Sequence, residues 1–169
     1  MSGLRASDKP HPRRAGRGLG ALAEEGGGNA GGSPVVAACV FAEKELAYLR
    51  SQPLGRLATV APDGQPDNAA VGFRVEDDGT IVVTGMNLAD SRKGRNVAAG
   101  NPKVAFIVDD LESVDPWRPR GIRIFGDAEL VLDAGRPYLR IVPTTSWSWD
   151  IEGPSMTPEG WRPHRTDHR

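Results

Sequence analysis

The chain reads as a mainly β domain with few helices, a small barrel or sandwich, on three observations. Six or seven short runs rich in β-branched and aromatic residues follow one another at close spacing. Turn signals such as Pro62-Asp63-Gly64 and Asp77-Asp78-Gly79 separate them. Only two stretches carry a helical pattern. A run of short strands with few helices packs as a barrel or sandwich, and closing the sheet removes the edges that would template aggregation. The length of 169 residues is that of one domain, enough to bury roughly two thirds of the unfolded surface.

Residues 1–34 are rich in Gly, Arg, Ala and Pro, with three leucines as their sizeable apolar residues. Such a segment cannot offset its ordering entropy by burial, so it is expected to be a disordered leader. Residues 153–169 are similarly Pro/Gly-rich and are expected to be a flexible tail. The structured domain, a barrel or sandwich, is then expected at 35–152.

Within it, Phe41 to Gln52 is expected to be a helix, with Phe41, Leu46 and Leu49 as its apolar side and Pro53 as its stop. Leu54 to Val60 is strand-like. Asn68 to Val75 alternates, placing Ala69, Val71, Phe73 and Val75 on one face. Thr80 to Thr84 is a β-branched strand. Asp90 to Ala99 reads as a short helix started by Ala89 or Asp90 and stopped at Gly100-Asn101-Pro102. Lys103 to Val108, Gly121 to Leu132, Tyr138 to Val142 and Thr145 to Trp149 complete the strands.

Composition excludes several classes. A net charge of −1 gives no general pull toward nucleic acid or an anionic membrane. No apolar run approaches the ~20 residues that span a bilayer, and Arg13-Arg14 is followed by no apolar export region. Cys39 is the single cysteine, so an intramolecular disulfide and a cysteine metal cluster are both excluded, and a reducing cytoplasm is the expected setting. The three histidines, His11, His164 and His168, all fall in the expected tails. A core without imidazole supports neither a Ser-His-Asp triad nor a zinc centre, so no metal site is expected. No phosphate loop and no dinucleotide fingerprint is present. Asp63, Asp77, Asp78, Asp109 and Asp110 sit at expected turns and strand ends, which turn chemistry explains better than acid–base catalysis. If the chain is an enzyme, its reactivity is expected from a bound cofactor, and no residue of the chain is assigned as catalytic.

One segment carries a signal: Thr84-Gly85-Met86-Asn87-Leu88-Ala89-Asp90-Ser91-Arg92-Lys93-Gly94-Arg95-Asn96, a strand running through a loop into a short helix. Ser91 offers a hydroxyl, Arg92 a planar fork and Lys93 a mobile charge. Cations at a helix start oppose the helix dipole unless an anion sits among them. Two readings stand side by side at this point, a phosphate site and a solvated basic helix start.

Ser91-Arg92-Lys93-Gly94-Arg95, followed by Asn101-Pro102-Lys103-Val104-Ala105-Phe106, resembles the flavin phosphate-binding segment of the pyridoxamine 5′-phosphate oxidase-like superfamily. Leu57-Ala58-Thr59-Val60, Pro62-Asp63-Gly64-Gln65-Pro66 and Val71-Gly72-Phe73-Arg74 match as well. The stretch from Asp109-Asp110-Leu111 through Asp115-Pro116-Trp117-Arg118-Pro119-Arg120-Gly121 is similar to the actinobacterial branch that uses the deazaflavin coenzyme F420. The likeness covers about residues 40–150. It implies a split β-barrel homodimer of the FMN-binding type, with cofactors in clefts between subunits. It also implies that Ser91, Arg92 and Lys93 bind the phosphate, that Asn96 joins Lys93 at the cofactor, and that Asn68, Ala70, Val71 and Gly72 lie along the ring system. Thr84 and Gly85 would stand beside the phosphate arm, and Trp117, Arg118 and Trp147 would frame the pocket from the other subunit.

The sequence departs from B6-phosphate oxidases in two places. The strand beside the ring reads Asp67-Asn68-Ala69-Ala70-Val71-Gly72, with Arg74 its single base, and their carboxy-terminal Arg/His substrate motif has no counterpart. The resemblance therefore implies an F420-dependent oxidoreductase acting on a small organic substrate. The alternatives are an FMN-dependent enzyme of the same fold and a cofactor- or tetrapyrrole-binding carrier without turnover.

Trp147 and Trp149, two apart, share one strand face, where core or dimer packing competes with a wall for the redox ring. Arg120 and Arg123 are candidates to hold an anionic tail or to be solvated, and Cys39 is expected to be buried and inert.

Overall fold

The computed structural model describes residues 39–133, 135–157 and 159–168. The expected leader at 1–34 lies outside them. Helix α1 spans Glu43–Ser51, and Glu45 reaches back to the Ala42 N–H at 3.2 Å, satisfying one of the donors that a helix start leaves open. Strand β1 is Leu54–Val60 and β2 is Pro66–Val75, joined by the Asp63-Gly64 turn. Asp63 accepts the Gln65 N–H at 3.0 Å, and Gly64 takes a φ of 86° that few side chains tolerate. Strand β3 is Ile81–Val83, reached through a matching turn in which Asp78 accepts the Thr80 N–H at 2.8 Å.

Helix α2 covers Arg92–Ala98 and is capped by Ser91, one or two residues later than its sequence start signals indicate. Strands β4 (Lys103–Ser113), β5 (Arg118–Asp133) and β6 (Arg136–Trp149) are long and antiparallel. The two strands expected at Tyr138–Val142 and Thr145–Trp149 are therefore one. Pro143 cannot donate to a ladder, and it sits beside a bulge: Gly126 pairs with Pro143 and Phe125 with Thr145, so Thr144 is extra.

That bulge reverses which side chains face inward. Leu139 and Ile141 are buried before it, Ser146 and Ser148 after it, and Trp147 and Trp149 point outward. Core packing of the two tryptophans, one of the expected readings, is thereby corrected. A single inserted residue shifts a period-2 pattern by one.

The strand order β3-β2-β1-β4-β5-β6 closes through β3–β6 pairing into a six-stranded barrel. Its core includes Leu57, Phe106, Val108, Ile122, Ile124 and Ile141, all within one per cent of full burial. Past the bulge, β6 leaves β3 and pairs with β9, His164–Asp167. The hairpin of β7 (Met156–Thr157) and β8 (Gly160–Trp161) precedes β9. Residues 153–168 thus carry three short strands where a flexible tail was expected. Polar composition hid them because β9 is an edge strand whose order comes from β6.

His168 is likewise not in a tail. Its ring stacks edge-on against Phe41 at 5.2 Å, and its Nε2 lies 2.9 Å from the Ser146 hydroxyl. Burial holds its pKa below the ordinary value, opposed by the nearby Glu45 and Asp167 carboxylates. The folded state therefore resists protonation of His168, and the stability tied to it is fully present above about pH 6.5 and declines as pH falls through that value. Amide exchange across 164–168, corrected for intrinsic rates, is expected to be faster at pH 5 than at pH 7.5. His168→Phe should abolish that difference; a pH dependence that survives the substitution excludes His168 as its source.

Candidate functional site

The loop from β3 into α2 is built by local hydrogen bonds. Ser91 Oγ donates to the Leu88 carbonyl at 2.6 Å and accepts the Gly94 N–H at 3.2 Å, while the Ser91 N–H bonds to Asn87 and Leu88 carbonyls at 2.9 and 3.1 Å. The one hydroxyl donor of Ser91 is thus spent on the chain. In this chain Ser91 is the cap of α2. Arg92 is exposed and Lys93 half-buried, and neither forms an ion pair among the described residues. Arg95 instead bonds back to the Asp90 carbonyl at 2.9 Å.

Asn96 is 4 % exposed and its amide donates to Thr59 Oγ1 at 2.9 Å. It ties α2 to β1 rather than facing the surface beside Lys93. A buried amide left without a partner costs about 1–3 kcal/mol. Thr59→Val keeps the shape and removes the partner, so the urea midpoint should fall by a corresponding amount. An unchanged midpoint excludes the strut.

On β2, Asn68, Ala70 and Gly72 point outward and Val71 is buried, so Val71 can meet a ligand only through its backbone. Phe73 pairs with Val83, which brings Gly72 beside Thr84 at the end of β3. The glycines at 72 and 85 leave open space where a Cβ would stand. Thr84 and Gly85 line a cleft of about 750 Å³ together with Arg74, Arg136 and Tyr138. The last two were not singled out in the sequence, because β6 reaches this loop only when the barrel closes. Arg74 bonds to Glu76 at 2.8 Å.

Trp117, Arg118 and Trp147 stand elsewhere. Outward residues Ala70, Arg56, Ile107, Arg123 and Trp147 form one register row across five strands. Four interstrand steps of about 4.8 Å put Trp147 roughly 19 Å along the sheet from Ala70. Arg123 stacks over Trp147 at 4.3 Å and Arg165 approaches it at 5.8 Å. Trp117 is 62 % exposed, and Arg118 pairs with Glu112 at 3.4 Å. One chain does not bring Trp147 to the β2 face, whereas Trp117 shares a cleft with Arg56, the cross-strand neighbour of Ala70.

Of the carboxylates expected at turns, Asp109 and Asp110 lie inside β4 and form ion pairs. Asp109 meets Arg56 at 2.6 Å, and Asp110 takes a two-pronged bond from Arg120 at 2.8 and 3.0 Å. Arg120 holds the Asp110 carboxyl below the usual carboxylate range, aided by the Tyr48 hydroxyl at 3.0 Å. Burial and that carboxylate push the Tyr48 phenol well above its ordinary value, so Tyr48 is a poor proton donor. Arg120, committed to Asp110, is not free to hold an anionic tail. No group of three or more metal-ligating side chains occurs among the described residues, and no described helix is long and apolar enough to cross a membrane.

The sequence pattern of the pyridoxamine 5′-phosphate oxidase family matches residues 41–150. A 5a,11a-dehydrotetracycline/5a,11a-dehydrooxytetracycline reductase of Streptomyces rimosus subsp. rimosus is 43 % identical over 126 residues, covering 69 % of this chain and 88 % of the relative. Among solved structures, a conserved protein of Mycobacterium tuberculosis is 28 % identical with a TM-score of 0.55, covering 68 % of this chain and 88 % of the other. An F420 reductase is 25 % identical with a TM-score of 0.51, covering 63 % and 98 %. The closed six-stranded barrel, the capped β3–α2 loop and these likenesses converge: the chain belongs to the pyridoxamine 5′-phosphate oxidase family and is an oxidoreductase of that family.

Proposed function

We propose that this chain is a coenzyme F420-dependent reductase that adds hydrogen across a conjugated carbon–carbon double bond of a small organic substrate. The observation that carries the reading is the pair Arg92 and Lys93, without ion pairs among the described residues, set one loop beyond the open glycines at 72 and 85. These residues fit a flat anionic cofactor. The glycines admit close approach of a ring or its side chain, and two cations meet a phosphate. The adjoining cleft carries Arg136 and a Glu76-paired Arg74 beside Asp90 and Asp133, so the phosphate charge falls to Arg92 and Lys93. Arg92 and Lys93 would hold the cofactor phosphate, and a reduced deazaflavin so held would supply hydride chemistry, with solvent as the proton source. The protein's part is to hold donor and acceptor together and to exclude water.

The similar F420 reductase supports the choice of cofactor, and the similar dehydrotetracycline reductase supports the reaction. FMN in the same site is the second reading, favoured by the family match itself. The working unit is a homodimer with the cofactor at the subunit interface. Two observations support it: Trp147 stands far along the sheet from Ala70 of its own chain, and the outer sheet face exposes Leu54 and Phe125.

Purified protein mixed with F420 or FMN, freed of excess and scanned in the visible decides the cofactor. Retained F420 absorbance with turnover of a conjugated enone supports the reading. Retention of FMN alone replaces the cofactor, and retention of neither overturns the proposal.

A further inference from the structure

The β7–β8 hairpin lies past residue 150, where the family match ends, and it clamps one tryptophan. Trp149, at the end of β6, pairs with Gly121 of β5. A Cβ on Gly121 would stand 2.5 Å from the Trp149 ring and 2.7 Å from the Val108 carbonyl, so the indole lies against bare backbone that only glycine provides. Trp161 of β8 meets the same indole edge-on, with ring centroids 6.1 Å apart. Trp149 is therefore held by the strand beneath it and by the hairpin at its edge.

That fixed indole is one wall of an open cleft of about 540 Å³, within the range of small-molecule sites. Ile107, Leu111, Trp117 and Pro119 supply the other apolar walls. The polar lining is two ion pairs, Arg56–Asp109 at 2.6 Å and Arg120–Asp110 at 2.8 Å. Their charges cancel, so nothing in the cleft selects an ionic ligand. The Arg56 guanidinium is half-exposed and retains donors for a ligand oxygen. Two indoles, a neutral lining and a free edge of donors together describe a receptor for a flat, uncharged ring system bearing oxygen substituents.

We propose that this cleft is the substrate site and that it takes a conjugated polycyclic ketone, its ring faces against Trp117 and Trp149 and its oxygens toward Arg56. This deepens the reductase reading and rests on it, and it moves Trp117 from cofactor to substrate. Trp161 is a positioning residue that acts through Trp149.

The test is binding to the full chain, read by quenching of tryptophan fluorescence, with two probes: tricyclic 1,8-dihydroxyanthraquinone and monocyclic 2-hydroxyacetophenone. The tricyclic probe should bind at least roughly tenfold more tightly, since stacking area grows with ring count. Trp117→Ala should weaken the tricyclic probe by roughly tenfold. Trp161→Ala should weaken it about threefold and leave the monocyclic probe unchanged. Equal affinity for the two probes, or tricyclic binding that survives Trp117→Ala, overturns the site. So does a dimer in which Trp117 emission is already blue-shifted and unquenchable, because the partner copy then covers the cleft. Cofactor retention by the unaltered protein is scored separately. If it persists while these probes fail, only the substrate site falls; if it is absent, the reductase reading itself falls.

Discussion

Gly94→Ala is expected to lower the melting temperature by roughly 4–10 °C and to weaken cofactor retention with it. The direction is not obvious, because alanine in a helix gains about 1 kcal/mol over glycine. Position 94 has no room for that gain. A Cβ there would collide with the Leu88 carbonyl and stand 3.0 Å from that of Ala89. Neither carbonyl yields easily. Leu88 is 1 % exposed, and its carbonyl already accepts the Ser91 hydroxyl and N–H. Forcing a methyl into a packed site costs about 1–3 kcal/mol, and backbone atoms relax less than side chains. The collision therefore exceeds the propensity gain, and the loop that presents Arg92 and Lys93 moves. Scanning calorimetry checks the result; an unchanged or raised melting temperature would falsify the close approach.

Replacing Arg92 and Lys93 together with alanine should act on binding and spare the fold. Each charge-assisted bond to a phosphate is worth about 1.5–3 kcal/mol in a sheltered site. Solvent around Arg92 reduces that share, which leaves about 2.8 kcal/mol for the pair, or about 100-fold in the dissociation constant. Substitutions at such surface positions stay within about 0.5 kcal/mol for stability, so the melting temperature should move by no more than about 2 °C. The remaining affinity should also lose most of its salt dependence, since two of the screened charges are gone. Equilibrium dialysis at low and high salt measures both effects. Affinity that is unchanged would remove the phosphate from this loop.

The two effects separate because Gly94 acts through backbone packing and the two cations act through charge. Thr59→Val and the acid-sensitive clasp at His168 complete the set, and both lie away from the cations. If all four behave as stated, α2 is a rigid platform whose single exposed service is anion binding.

Local chemistry was legible from residue order. The Asp-Gly turns, the alternation of β2 and the basic loop at 91–93 each depend on neighbours within a few positions. The hydrogen bonds of Ser91 and Asn96 depend on atoms the local pattern does not specify. A hydroxyl near a helix start can serve a ligand or cap the helix, and the 2.6 and 3.2 Å contacts are what show the cap. Asn96 meets Thr59 across a separation of 37 residues, so nothing near it in the chain announces the bond.

The same division holds for the molecule. Residue order alone carried a mainly β chain, its turn positions and the basic loop, which follow from backbone sterics and short-range patterning; the closed barrel and the redox class came through family likeness. Strand pairing in the folded barrel is what makes Thr144 an inserted residue, turns Ser146 and Ser148 inward and Trp147 and Trp149 outward, and makes a polar C-terminal stretch into edge strand β9. The bulge and the edge are set by which partner strand is present. A strand's inward face and an edge strand's order are properties of pairing, and pairing exists only once the barrel has closed.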